Sequence, residues 1–196
     1  MTDKKNKKRI YCLSVMSEWG GGEEVLKTIC TKLSVFNFKI FTPPGDSHIR
    51  FSESNIETIV ENDLLKMRPN GSNWNYFDSF KLLIKILKAS RRIAKRAKQD
   101  KCDLILANGN YAGLYALIVK FLTGIDFIVV QHLLYKNSSF ESKSIKLQIK
   151  FAKLFVCVSK AVKDNLISIS RSEKYMHKFE VVHLGIQLPE LPNMHS

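Results

Sequence analysis

"CDLILANGNYAGLYALIVKFLTGIDFIVVQH", Cys102 to His132, decides how the rest of the chain is read. Two short runs, "DLILA" (103–107) and "DFIVVQ" (126–131), are apolar at consecutive positions, the pattern of strands covered on both faces. Between them, residues 111–122 carry a helical pattern. Strand, helix and strand in so short a span imply a parallel pair joined by a right-handed crossover.

Outward from this unit the same alternation continues in both directions. Further strand-like runs are "RIYCLSV" (9–15), "FKIFT" (38–42), "LFVCVS" (154–159) and "FEVVHL" (179–184), with a weaker one at 56–60. Helical patterns lie at 22–35, 78–99, 142–152 and 160–169. The expected fold class is therefore α/β: one Rossmann-like, doubly wound domain with a mainly parallel sheet. Residues 43–77 contain "TPPGD" and "RPNGSNW", strong turn signals, and read as an irregular surface excursion that could serve as a binding loop. A basic flexible tail is expected over 1–8, the domain over 9–186 and a linker stub over 187–196.

The chain has 196 residues, enough for one domain with a real core, and 45% of them are hydrophobic. A formal net charge of +13 points to anionic partners: nucleic acid, an anionic membrane surface or phosphorylated small molecules. Nucleic acid is disfavoured, because no recognisable module and no interleaved aromatics accompany the charge. Cys12, Cys30, Cys102 and Cys157 are widely spaced, mostly in apolar runs, and read as reduced thiols of a cytoplasmic protein rather than as zinc ligands or disulfides. No apolar stretch approaches the roughly 20 residues needed to cross a bilayer.

In open α/β sheets, ligands bind outside the carboxyl ends of the strands. Gly20, Gly21 and Gly22 follow the first strand and lead into a helix, whose unpaired N–H groups and dipole suit a phosphate. A tight turn requiring glycine is the structural alternative. Glu23 opens that helix, a favourable place for an acid. Asn108 and His132 occupy the equivalent position after two other strands, where an imidazole can donate to a sugar hydroxyl or a developing charge. Asn110 and Ser159 are expected to cap the helices that follow them. Along 78–99, Lys81, Lys85, Lys88, Arg92, Lys95 and Arg96 fall on one side and Leu82, Leu83, Ile86, Leu87, Ile93, Ala94 and Ala97 on the other. That one-signed face is a candidate surface for an anionic bilayer, with Lys143, Lys146 and Lys150 as an extension.

Four segments together resemble the family 4 glycosyltransferases. "GGGEEVLKTICTKL" is similar to the family's glycine loop and first helix, and the 102–132 segment to its central unit ending in an active-site histidine. "LFVCVSKAVKDNLI" resembles its V-S-x-A-V step, and "KFEVVHLGIQ" the run leading into the interdomain hinge. The resemblance implies half of a GT-B fold, the N-terminal, acceptor-side domain. Gly20, Gly21, Gly22 and Glu23 would then face the donor diphosphate, His132 the transferred sugar, and Asn108, at a place often held by histidine, the acceptor side. Leu184 stands where the hinge usually has asparagine.

The function so implied is the acceptor-binding half of a retaining glycosyltransferase, moving a sugar from a nucleotide-sugar to a glycan or lipid-linked acceptor. It would need a C-terminal donor-binding domain or subunit, no cofactor and no metal, and would be inactive as this chain alone. Cytoplasmic placement, peripheral on the inner face of a membrane, is the expected setting. The alternative is a non-catalytic membrane- or partner-binding module with a vestigial sugar site.

Overall fold

Successive residues of the central strands bury against opposite layers of helices. In β1 (Arg9–Leu13), Tyr11 and Leu13 enter one core and Ile10 and Cys12 the other, all of them buried. The computed structural model describes residues 7–65, 76–135, 139–171 and 173–183. Its other strands are β2 (Asn37–Thr42), β3 (Glu57–Val60), β4 (Leu104–Asn108), β5 (Phe127–Gln131), β6 (Leu154–Cys157) and β7 (Phe179–Val181). They form one sheet in the order β3-β2-β1-β4-β5-β6-β7, and every pairing is parallel.

Helices α1 (Gly21–Lys32) and α2 (Asp46–Glu53) cover one face, through Leu26 and Phe51 packed with Cys12, Ile40 and Val130. On the other face lie α3 (Tyr76–Gln99), α4 (Asn110–Thr123), α5 (Ser139–Phe151) and α6 (Lys160–Ser170). From β1 the chain winds outward to β3, then returns to β4 on the other side of β1. The reversal opens a crevice between the carboxyl ends of β1 and β4, where doubly wound sheets bind ligands.

Segment 43–65 is more regular than expected. The weak run at 56–60 is the edge strand β3, and before it comes α2, which the low hydropathy of "DSHIRFSE" conceals. Phe51, fully buried, fastens α2 to the sheet, a contribution of about 1.5–3 kcal/mol. Gly45, which precedes this helix, has φ +145°, and a Cβ there would stand 2.6 Å from the Ser17 carbonyl oxygen, so only glycine fits. Residues 66–75 of the expected loop, residues 1–6 of the tail, Leu184 and the 187–196 stub lie outside the described residues.

One capping expectation holds and one does not. Ser159 Oγ accepts from Val162 N at 3.2 Å and caps α6. Asn110 is not a cap: Gly109, at φ +92°, takes that place. The Asn110 side chain turns inward, where its Oδ1 accepts from Gln148 Nε2 of α5 at 2.6 Å and joins the two helices. Sequence spacing cannot distinguish a capping asparagine from one recruited by a helix still to come.

Behind the crevice, Tyr115 of α4 ties down the chain that leaves β3. Its buried hydroxyl donates to the Asp63 carbonyl and accepts from Leu65 N, each at 3.0 Å. Burial pushes its pKa up to about 12.

Candidate functional site

Three carboxyl-end segments meet at the crevice. The register sets Leu13 beside Ala107 and Asn108 beside Val130, so Ser14, Asn108 and His132 emerge from adjacent strands β1, β4 and β5 at nearly the same level. Helix α1 starts above them. Its own hydrogen-bond ladder begins with Glu24 N donating to Gly20 O at 3.0 Å, which leaves the amides of Gly21 and Gly22 ahead of the ladder at the positive end of the dipole.

Glu23 is buried, and Ser14 Oγ donates to its Oε1 at 2.9 Å. Asn108 Nδ2 donates to the same Oε1 at 3.3 Å and to the Gly22 carbonyl at 3.2 Å. Asn108 Oδ1 in turn lies 2.7 Å from His132 Nε2. Burial raises the Glu23 carboxyl pKa, opposed by the Ser14 hydroxyl, the amides of Glu23 and Gly20, and Asn108. Burial lowers the His132 imidazole and favours its neutral form.

The three glycines are not equivalent. None has positive φ; Gly20 is extended at φ −146°. A Cβ on Gly21 would meet nothing within 4 Å, and one on Gly20 would approach only Glu23 Oε2, at 3.3 Å. A Cβ on Gly22 would lie 3.4 Å from His132 Cδ2 and 3.5 Å from Asn108 Nδ2. Gly22, Glu23, Asn108 and His132 thus form one cluster, with Gly20 and Gly21 beside it. Ser14 is the member that sequence reasoning missed, because the apolar run read as strand extends to Val15 while β1 ends at Leu13.

The cationic face of α3 differs from expectation. Lys81, Lys85, Lys88, Lys95 and Arg96 are exposed, but Arg92 is committed within the protein. Its Nε and Nη2 clasp Glu61 at 2.9 and 2.5 Å, and Nη2 also reaches Asp63 at 2.6 Å. These acids arrive from the segment after β3, so a scan of the helix alone could not see them. With Asn62 and Arg96 they line a hollow of about 430 Å³ at the carboxyl side of β2 and β3. Leu83, expected on the apolar side of α3, is 49% exposed and Ile84 36%, while Leu82 packs against the core. Leu133 and Leu134, directly after His132, are also exposed.

A larger hollow, about 610 Å³, opens at the opposite, amino ends of β1, β2 and β3. Its charges are already matched: Lys39 Nζ bonds Asp100 at 2.6 Å and Glu57 at 2.8 Å. All four cysteines are free, Cys12 and Cys30 with their Sγ atoms 3.9 Å apart. Among the described residues no group of histidine, cysteine or acid side chains could hold a metal ion, and no helix is long and apolar enough to cross a membrane.

A half-buried imidazole and a helix N-terminus at the switch point of a doubly wound sheet suit a polar, phosphate-bearing ligand. The Glycosyltransferase Family 4 description matches residues 19–189. The chain belongs to Glycosyltransferase Family 4. The match takes in every member of the cluster except Ser14. Solved structures similar to this family member include Anabaena Alr3699/HepE in complex with UDP, at 16% identity and TM-score 0.67 over 91% of this chain and 44% of that one. A glycosyltransferase from Rickettsia africae is 19% identical, with TM-score 0.66 over 92% of this chain and 44% of that one. The lipopolysaccharide outer core galactosyltransferase WaaB, in its apo form, is 15% identical, with TM-score 0.63 over 96% and 50%. The fold is that of half a GT-B glycosyltransferase, and the chain spans less than half the length of the first two structures. Curated proteins give no match.

Proposed function

We propose that this chain is the acceptor-binding, N-terminal half of a retaining glycosyltransferase that uses a nucleotide-sugar donor. The observation that carries the reading is the approach of Gly22 to the His132–Asn108 pair, which puts the N-terminus of α1 and an imidazole at one mouth. In this reading the amides of Gly20, Gly21 and Gly22 face the donor diphosphate with Glu23 bracing the turn, and His132 faces the transferred sugar. Catalysis rests on electrostatic stabilisation of the departing diphosphate by backbone donors, without a cofactor or metal. UDP bound to the Anabaena structure supports a nucleotide-sugar donor. Asn108 and the hollow beside Arg96 lie on the acceptor side.

The donor nucleotide is to be held by a C-terminal domain or subunit across the cleft. The acceptor is a glycan or, in view of exposed Leu133 and Leu134 beside the imidazole, a lipid-linked one. Mixing the chain with a C-terminal donor-binding half and radiolabelled UDP-sugars tests the reading: label should pass to a lipid-linked glycan acceptor and His132→Ala should abolish transfer. Undiminished transfer by His132→Ala would remove the imidazole from the site.

A specific observation favours a second role beside the first. Ile84 stands exposed on α3 with Lys81 three residues before it and Lys88 four after it, on one side of the helix, an arrangement suited to the interface of an anionic bilayer. A protein so docked sits peripherally, on the cytoplasmic face. If the reconstituted halves transfer nothing while vesicle binding persists, a non-catalytic docking module with a vestigial sugar site becomes the better description.

A further inference from the structure

The hydrogen bonds around Asn108 have a direction, and that direction reaches His132. The Gly22 carbonyl can only accept, and Glu23 Oε1 accepts from Ser14 in the same place. Both lie against one end of the Asn108 amide, which must therefore be its NH₂. Turning the amide end for end would set its oxygen at hydrogen-bond distance from a carbonyl and a carboxylate oxygen, with no hydrogen between them, and give up both bonds that the NH₂ makes. The other end of the amide is thus an oxygen, and it lies 2.7 Å from His132 Nε2. An oxygen acceptor at that distance needs a hydrogen on Nε2.

Gly22 borders the same ring edge, the one formed by Cδ2 and Nε2. The opposite edge bears Nδ1, which has no hydrogen-bond partner among the described residues. We propose that Asn108 is a positioning residue that keeps the His132 proton on Nε2, so that the ring offers Nδ1 to the cleft as an acceptor for a sugar hydroxyl and disfavours carboxylate and phosphate oxygens. The selectivity clause rests on the reading that His132 faces the transferred sugar; the tautomer does not. It also reverses the expectation drawn from strand position alone, in which the imidazole donates. The site accordingly selects a hexose with a free hydroxyl over the corresponding uronate, because an acceptor-only carboxylate would meet a lone pair.

The test is ¹⁵N NMR of the ring nitrogens in the full 196-residue chain. At pH 7 His132 should show a single tautomer with hydrogen on Nε2 and none on Nδ1; a hydrogen on Nδ1, or a mixture, overturns the proposal. Asn108→Ala should let the signal split between the two tautomers. A single Nε2–H form in Asn108→Ala would remove Asn108 from the positioning role. With the C-terminal donor-binding half added, UDP-glucose should then perturb Nδ1 at a concentration at least about tenfold below that needed with UDP-glucuronate. Equal response to the two overturns the selectivity. A correct tautomer with donor bound to the mixed halves and no response at Nδ1 leaves the positioning role standing and refutes the reading that the imidazole meets the sugar.

Discussion

Gly22→Ala is expected to leave the cluster intact and Gly22→Val to break it. The backbone at Gly22 does not have positive φ, so a side chain there meets only its neighbours. A Cβ would stand 3.4 Å from His132 Cδ2, 3.5 Å from Asn108 Nδ2 and 3.7 Å from His132 Nε2, all ordinary contact distances. Alanine therefore fits, and the freedom it removes from the unfolded chain should stabilise the fold by about 0.4–1 kcal/mol. For a domain of this size that is a rise in Tm of about 1–4 °C. Valine adds two γ-carbons beyond a Cβ already in contact. The imidazole must then move off Asn108, at about 1–3 kcal/mol for overpacking and about 1 kcal/mol for the Nε2–Oδ1 hydrogen bond. Tm should fall by about 5–15 °C. Thermal unfolding followed by circular dichroism reads both changes. A valine variant that melts with the alanine variant would mean that nothing lies over Gly22, and the common mouth of glycine turn and imidazole would be lost with it.

Glu23→Gln should change the pH dependence of stability with a definite sign. Because the folded carboxyl pKa is raised above its ordinary 4.5, the native state holds the proton more tightly; the advantage is present at low pH and lost as pH rises through the folded value. Urea unfolding should show wild type losing ground to Glu23→Gln between pH 4 and 7, and a gain instead would contradict the burial of Glu23. Arg92→Gln should destabilise by about 1 kcal/mol after allowance for a side chain that is half exposed, yet leave sedimentation with anionic vesicles unchanged. Lys85→Gln with Lys88→Gln should weaken that sedimentation roughly 30-fold, at about 1 kcal/mol for each charge, with little effect on stability; equal sedimentation by both proteins would end the docking reading. Iodoacetamide should label Cys30 first, since it alone among the four thiols is not buried, and mass spectrometry finding Cys12 labelled first would count against the packing of β1 on α1.

The order of strands and helices was legible because a sheet covered on both faces demands apolar residues at consecutive positions, as Ile10 to Leu13 and Phe127 to Val130 supply. Helix α2 was not, since only Ser47 and Phe51 of its eight residues are buried and two points do not make a period. The meeting of Gly22 with His132 followed from their places after β1 and β5. The bond that links His132 to Asn108, and Asn108 to Glu23, depends on strand register to within a residue, which hydropathy does not report. Arg92 shows the limit from the other side. Its helix face reads as uniformly positive until Glu61 and Asp63 arrive from 31 and 29 residues away.

The knot that Tyr115 ties around Asp63 and Leu65 has a bearing on how such a scaffold could diversify. Both of its partners are backbone groups, so the identities of Asp63 and Leu65 can change while the turn keeps its place, and Tyr115→Phe, which cuts the knot while keeping the ring, is the substitution that would release it.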